Sequence, residues 1–353
     1  MKISFLVLIL ILFNSLIFSQ DKTSSGKFNG VLFGDYFYKV EGDSTGGTNQ
    51  YSSFARNVQG FTVRRARLHY EHNFSDKFNG HIGIEANDKS LISGNMSFIV
   101  YDASIEWKNI FKYSNMLFGV VYTPTFVSSY TEKIYGYRGV EKTIADKNSL
   151  SAGIDLGILL KGTFDKAGQF GYNFMLGNGK GGKVEYSKYL KVYSSIYVKF
   201  LKYFITEYYF DYQNAENSQY KYTLKGLLGY KSANITIGGE VVYQYRNNAS
   251  ANNGNISPFG FSLYAKTNII KNSASQTEEV LNIFTRYDYS DGNTNVNNSG
   301  YKENFISVGL DYLPFPNVHI IPNLWMTIYN DKSPSNLKRN SDIVPRLTFW
   351  YLY

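Results

Sequence analysis

Arg64-Arg65-Ala66-Arg67-Leu68-His69-Tyr70-Glu71-His72-Asn73-Phe74 is the stretch that decides the fold. Ala66, Leu68, Tyr70 and Phe74 fall on one side of it, and Arg65, Arg67, His69, Glu71 and Asn73 on the other. A period of two with one apolar and one polar face is the pattern of a β-strand. Residues 73–77 then read as a short turn, and the pattern resumes with Phe78, Gly80, Ile82, Ile84 and Ala86 against Lys77, Asn79, His81, Glu85 and Asn87. Residues 101–108 place Ala103, Ile105 and Trp107 opposite Asp102, Ser104, Glu106 and Lys108.

Working outward, the same alternation recurs in 155–164, 171–177, 223–230, 235–246 and 281–289. Segments 31–39 and 194–212 are apolar or aromatic on both sides, so their faces stay unassigned. A soluble sandwich also alternates. Strand number and connection length separate the two cases: about sixteen candidate strands are joined by short turns and long polar loops in alternation, as in outer-membrane barrels. The short connections include 167–169, 231–233 and 313–317; the long ones, rich in Asn, Gly and Ser, include 42–57, 247–257 and 291–303. The expected fold is all-β, a transmembrane antiparallel up-and-down β-barrel of about 16 strands.

Composition agrees. The 353 residues include 32 Tyr, 26 Phe and 31 Gly but only 7 Pro, and aromatic residues favour strands. Residues 1–20 read as a signal peptide: Lys2, an apolar run over 3–18, then polar Ser19-Gln20-Asp21. Residues 21–353 show no linker and form one barrel domain, placed by export in the bacterial outer membrane among its lipids. The absence of Cys excludes disulfides and a lipid-modified N-terminus. Aromatic triplets at 36–38, 208–210 and 349–351 read as interfacial girdles. The last strand alternates Leu347, Phe349, Tyr351 and Tyr353 against Arg346, Thr348 and Trp350, a terminal pattern that barrel assembly machinery would recognise.

Three segments carry a family resemblance. Phe61-Thr62-Val63-Arg64-Arg65-Ala66-Arg67-Leu68, Tyr101-Asp102-Ala103-Ser104-Ile105-Glu106-Trp107 and Phe118-Gly119-Val120-Val121-Tyr122-Thr123-Pro124-Thr125-Phe126 resemble strands of the phosphate-selective porin O and P family. The resemblance is best over residues 60–165. It implies a sixteen-stranded, usually trimeric passive pore, with residues 137–144 in the position of the loop that folds into the lumen. Val120 and Tyr122 depart from the family pattern, standing where it often carries a lumen Gln and Lys.

The net charge of +8 suits a wall that concentrates anions. Arg65 and Arg67, two apart, share the lumen face and offer planar forks for phosphate or carboxylate. The competing reading is a ladder in which they pair with Glu71, Glu85, Asp102 and Glu106. Arg138, Lys142 and Lys147, on the loop, are further candidates for solute contact, against an ordinary solvated loop surface. The functional expectation is a porin for small hydrophilic solutes, weakly anion-preferring and with phosphate among its candidate solutes. The alternative is a structural or adhesive surface barrel whose lumen is plugged by loops.

Other classes fit less well. The four histidines, His69, His72, His81 and His319, have no Ser in a nucleophile motif near them, so no enzyme is expected. No calcium-loop spacing surrounds Asp288, Asp291 and Asn293, and no metal or cofactor is expected. Residues 177–183 mimic a phosphate loop but lack the Ser/Thr after Lys. Charge is spread evenly, without a nucleic-acid motif, and no plug domain of an energy-coupled transporter is visible.

Overall fold

The computed structural model describes residues 25–44, 51–87, 98–127, 130–183, 188–216, 218–249, 254–272, 278–296, 299–333 and 338–353. The signal-peptide expectation for residues 1–20 lies outside the described residues. Sixteen strands follow one another: β1 (Ser25–Tyr38), β2 (Gln59–Asn73), β3 (Phe78–Asn87), β4 (Ile99–Phe111), β5 (Ser114–Tyr122), β6 (Ile154–Thr163), β7 (Phe170–Gly177), β8 (Lys191–Phe200), β9 (Phe204–Asn214), β10 (Tyr220–Lys231), β11 (Ile235–Arg246), β12 (Phe259–Lys271), β13 (Glu279–Asp291), β14 (Tyr301–Phe315), β15 (Val318–Asp331) and β16 (Asp342–Leu352). Each pairs antiparallel with its sequence neighbours, and β16 pairs with β1 from Val31↔Leu352 to Phe37↔Arg346, closing the barrel. Reciprocal backbone bonds between Gly30 and Tyr353, 2.9 and 3.2 Å, finish the seam. Closure leaves no sheet edge, which is what lets strands cross a bilayer.

The two faces settle the choice between barrel and sandwich. Ile82, Ile105, Phe174, Leu228, Ile237, Leu263 and Leu347 are exposed, whereas Asn173, Glu207, Lys225, Glu240, Asn282, Arg286 and Arg346 are buried. Apolar outside and polar inside is the inverse of a soluble sandwich and the signature of a lipid-facing barrel. Sixteen-stranded barrels of this kind are an outer-membrane architecture. The unassigned segments resolve on the same rule: Phe33, Asp35 and Phe37 face inward on β1, and Tyr193, Ser195, Glu207, Tyr209 and Asp211 on β8 and β9.

Three details correct the strict alternation. First, the register of β1 on β2 shifts between Phe33 and Gly34, leaving Arg64 as the extra residue, buried on the lumen side beside the half-buried Arg65. Second, a similar shift at Gly83/Ile84 turns Tyr101 inward next to Asp102. A β-bulge does this because one strand spends two residues against one. Third, the aromatic triplets are not uniform girdles. Their central members Phe37, Tyr209 and Trp350 point into the lumen, and 208–210 lies in the middle of β9. The turn expected at 313–317 tightens to Pro316-Asn317, with Asn317 in the left-handed region at φ 67°.

Candidate functional site

The described residues of the connection from β5 to β6, 123–127 and 130–153, do not stand out from the rim but fold into the lumen. It contains a 3-10 turn (Pro124–Phe126) and two short helices, α1 (Thr131–Tyr135) and α2 (Ile144–Lys147). Gly136, at φ 94°, ends α1 by donating its N–H to Glu132 O, the left-handed cap that glycine supplies most cheaply. Thr143 starts α2 by accepting from Asp146 N–H at 3.2 Å.

An apolar face holds the loop to the wall. Ile134, Tyr135, Tyr137 and Val140 pack with Phe33, Leu227, Tyr264, Phe284, Ile321 and Trp350, and Ile144, Ala145 and Leu150 pack with Val242. Burying one such aliphatic side chain is worth roughly 1.5–3 kcal/mol. Two wall glycines make room: a Cβ on Gly260 would lie 2.7 Å from Ile144 Cδ1, and one on Gly229 2.9 Å from Ile134 Cδ1. Polar contacts fix the remainder. Trp325 Nε1 donates to Glu141 Oε2 at 2.7 Å, Arg346 Nη2 to Val140 O at 3.1 Å and Tyr137 OH to Asp311 Oδ2 at 3.0 Å. Arg64 donates to Gly139 O, Gln244 Nε2 to Leu150 O at 2.7 Å, and Lys225 Nζ to Thr125 O at 3.2 Å. Burial opposes ionisation of Glu141, but Lys147, the Trp325 N–H and the Lys142 backbone N–H outweigh it and hold its carboxyl down to about 2.

The expected site residues separate into two groups. Arg65 Nε lies 3.2 Å from Glu85 Oε2, and Arg67 Nε donates to the same oxygen at 2.8 Å. Arg67 also donates to Tyr122 OH at 2.8 Å and lies 3.8 Å over the Tyr101 ring. Arg138 comes to this cluster from the loop, paired with Glu132 at 3.0 Å and Asp146 at 3.6 Å. The guanidinium groups of Arg64, Arg65 and Arg138 lie 5.1, 5.6 and 5.8 Å from the Phe33 ring centroid, so β1, β2 and the loop converge there. Lys147 is elsewhere, 4.1 Å over the Phe305 ring. Lys142 is half-buried, and among the described residues its side chain makes no ion pair.

The competing ladder therefore exists in part: Glu85 takes both arginines, while Asp102 pairs with His69 and Glu106 with His81 and Lys161. The side-chain exposures still favour positive charge. Arg65 and Arg67 are 16 and 20 % open and Arg138 13 %, against 5 % for Glu85 and 13 % for Glu132; Asp146, at 33 %, is the exception. Burial also pushes the Glu132 carboxyl up, against the pull of Arg138. On the wall of β5 to β8 a recess of about 200 Å³ is lined by Tyr113, Asn115, Val127, Lys161, Thr163, Asn173 and Tyr197.

Arg64 was the residue missed. Its signal is thermodynamic: strict parity would place it toward lipid, where a cation at the midplane costs roughly 2–4 kcal/mol, so two consecutive arginines in a strand call for a bulge. The family departures also sit differently than expected. Val121 is the lumen residue of β5 rather than Val120, and Tyr122 reaches the cluster through its hydroxyl.

With this geometry established, known structures can be compared. The outer membrane channel DcaP of Acinetobacter baumannii superposes with a TM-score of 0.67 at 12% identity, over 95% of this chain and 99% of that one. The two chains share the closed barrel fold. The anion-selective porin from Comamonas acidovorans gives a TM-score of 0.62 at 12% identity, over 94% of this chain and 100% of that one. OmpF of Salmonella typhi gives 0.63 at 10% identity, over 93% and 97%. No family model and no curated protein matches the chain. At these identities the likeness is one of fold.

Proposed function

We propose that this chain is a passive diffusion channel of the bacterial outer membrane that admits small hydrophilic solutes and prefers anions weakly. The observation that carries the reading is the convergence of Arg65, Arg67 and Arg138 beside a loop packed against the lumen wall. A low-dielectric wall with open guanidinium groups lowers the barrier for an anion and raises it for a cation. Phosphate matches the planar forks of Arg65 and Arg67, in keeping with the resemblance to phosphate-selective porins. Lys142 and Lys147 act in this reading as a second, weaker basic patch on the loop.

The same loop supports a second reading. Its fully buried Ile144 and Ala145 fill lumen volume, and a barrel filled further would be a surface receptor with little transport. Neither reading assigns catalysis. A trimer in the membrane belongs to the proposal as well; an outer membrane protein of Vibrio cholerae with a TM-score of 0.62 is described in a trimer form. So does recognition of the β16 pattern by barrel assembly machinery. Reversal potentials in a planar bilayer under a salt gradient test the proposal: an anion-directed potential supports it, a cation-directed one refutes the selectivity, and no conductance favours the plugged barrel.

A further inference from the structure

The lumen face of β2, β3 and β4 holds a second cluster, nearer the short 73–77 turn and apart from the arginine group. We propose that His69, His81 and Asp102 form a binding site for a divalent metal ion of the zinc class on the lumen wall. The sheet register brings them together. His69 is opposite Gly83, and Gly83 is opposite Asp102, while His81 pairs with Glu71 one step diagonal to His69. Gly83 puts no side chain between the outer two, so His69 Nε2 and Asp102 Oδ2 meet across it at 3.1 Å. The His69 and His81 rings stack with centroids 5.8 Å apart.

One ligand atom from each of the three residues lies within 4.8 Å of the others. A tetrahedral zinc ion with bonds of about 2.1 Å holds its ligand atoms roughly 3.4 Å apart. Side-chain torsions can close that difference without moving the strands. The second observation is the weak hold on the other imidazole. His81 Nε2 is buried, and its partner there, Glu106 Oε2, lies at 3.4 Å and out of good hydrogen-bond alignment. A metal ion at bonding distance would replace that long contact with a stronger one.

The surroundings supply what metal-bound ligands need. Ser104 Oγ donates to Asp102 Oδ1 at 2.9 Å, fixing the carboxylate. The Asn29 amide lies 3.4 Å from His69 Nδ1, and turning it places its oxygen to accept from Nδ1–H, freeing Nε2 for the ion. Side-chain exposures of 14 % for His69 and 13 % for His81 leave an approach from lumen water. Two imidazoles and one carboxylate select borderline transition metals; calcium and magnesium take all-oxygen sets. A fourth position remains for water.

The test is calorimetric titration of zinc chloride into the full-length barrel, refolded in detergent without a histidine tag. One saturable site per chain is expected. His69→Gln and His81→Gln should each weaken it at least tenfold, Asn29→Ala about tenfold by loss of the outer-shell bond, and His319→Gln should leave it unchanged. Heat-modifiable gel mobility reports folding of each variant. If the histidine variants fail to fold, cobalt(II) added to the unaltered chain decides. The intense visible bands of a four-coordinate imidazole site support the proposal, and the weak spectrum of the hydrated ion overturns it. Absence of saturable zinc binding, or binding that survives in folded His69→Gln/His81→Gln, also overturns it.

Discussion

Glu85→Gln removes the one carboxylate that Arg65 and Arg67 both contact. The substitution keeps size and hydrogen-bonding capacity but leaves two guanidinium groups uncompensated, both part-open to the lumen. For an ion passing roughly 6 Å away, one unit charge in a water-like dielectric is worth about 0.7 kcal/mol, and salt at 0.15 M roughly halves it. The charge acts with opposite sign on anion and cation, so their permeability ratio changes by about 0.7 kcal/mol, roughly threefold. A lower effective dielectric in the lumen makes the change larger. The assay is the reversal potential of refolded protein in a planar bilayer under a tenfold potassium chloride gradient. Glu85→Gln should move it toward the chloride equilibrium potential, and Arg67→Gln should move it the other way by a similar amount. If both folded variants match the unaltered channel, the Arg65/Arg67 cluster is not on the ion path and the electrostatic reasoning fails.

Trp325→Phe leaves the buried Glu141 carboxylate without its 2.7 Å donor; loop docking should weaken by about 1.5–3 kcal/mol, read as faster proteolysis within 123–153. Gly260→Leu forces a side chain into Ile144 and should push α2 toward the open lumen, lowering single-channel conductance; unchanged conductance would mean that the loop gives way elsewhere. Lowering the pH below neutral should strengthen anion preference, because Glu132, its carboxyl raised by burial, takes up a proton before ordinary carboxylates and leaves Arg138 less compensated. Glu141 behaves oppositely. Its depressed value, about 2, makes its ionised contacts a stabilising contribution present above the ordinary glutamate range and lost only as the pH falls toward 2. Protease protection of the loop should therefore persist at pH 4.

The barrel was legible because its information is local. Two-residue periodicity in 64–74 and 78–87 needs no knowledge of neighbours, and a lipid-facing side chain such as Ile82 is apolar for one reason only. Lumen positions carry mixed signals. Phe33, Leu227, Phe284 and Trp350 are apolar and inward because the loop covers them, a long-range fact that alternation cannot encode. Segment 31–39 is therefore apolar on both faces. Bulges broke parity at Arg64 and Tyr101 for a similar reason, since an extra residue shows only against its partner strand. Of the five expected solute contacts, Arg65, Arg67 and Arg138 converge, while Lys147 turns to Phe305. Sequence spacing places the first two on one face and offers Glu85 as one of four acidic partners; the β2–β3 register singles it out as the shared one.

The central claim is that ions pass the lumen beside the docked loop, at the Arg138 face. The chain has no cysteine, so Arg138→Cys presents a single thiol there. Single-channel recording before and after reaction with a bulky negatively charged thiol reagent tests the claim directly. The account predicts a conducting channel whose current falls on modification and whose anion preference drops. A barrel that does not conduct, or one whose current and selectivity are untouched by verified modification, would contradict it.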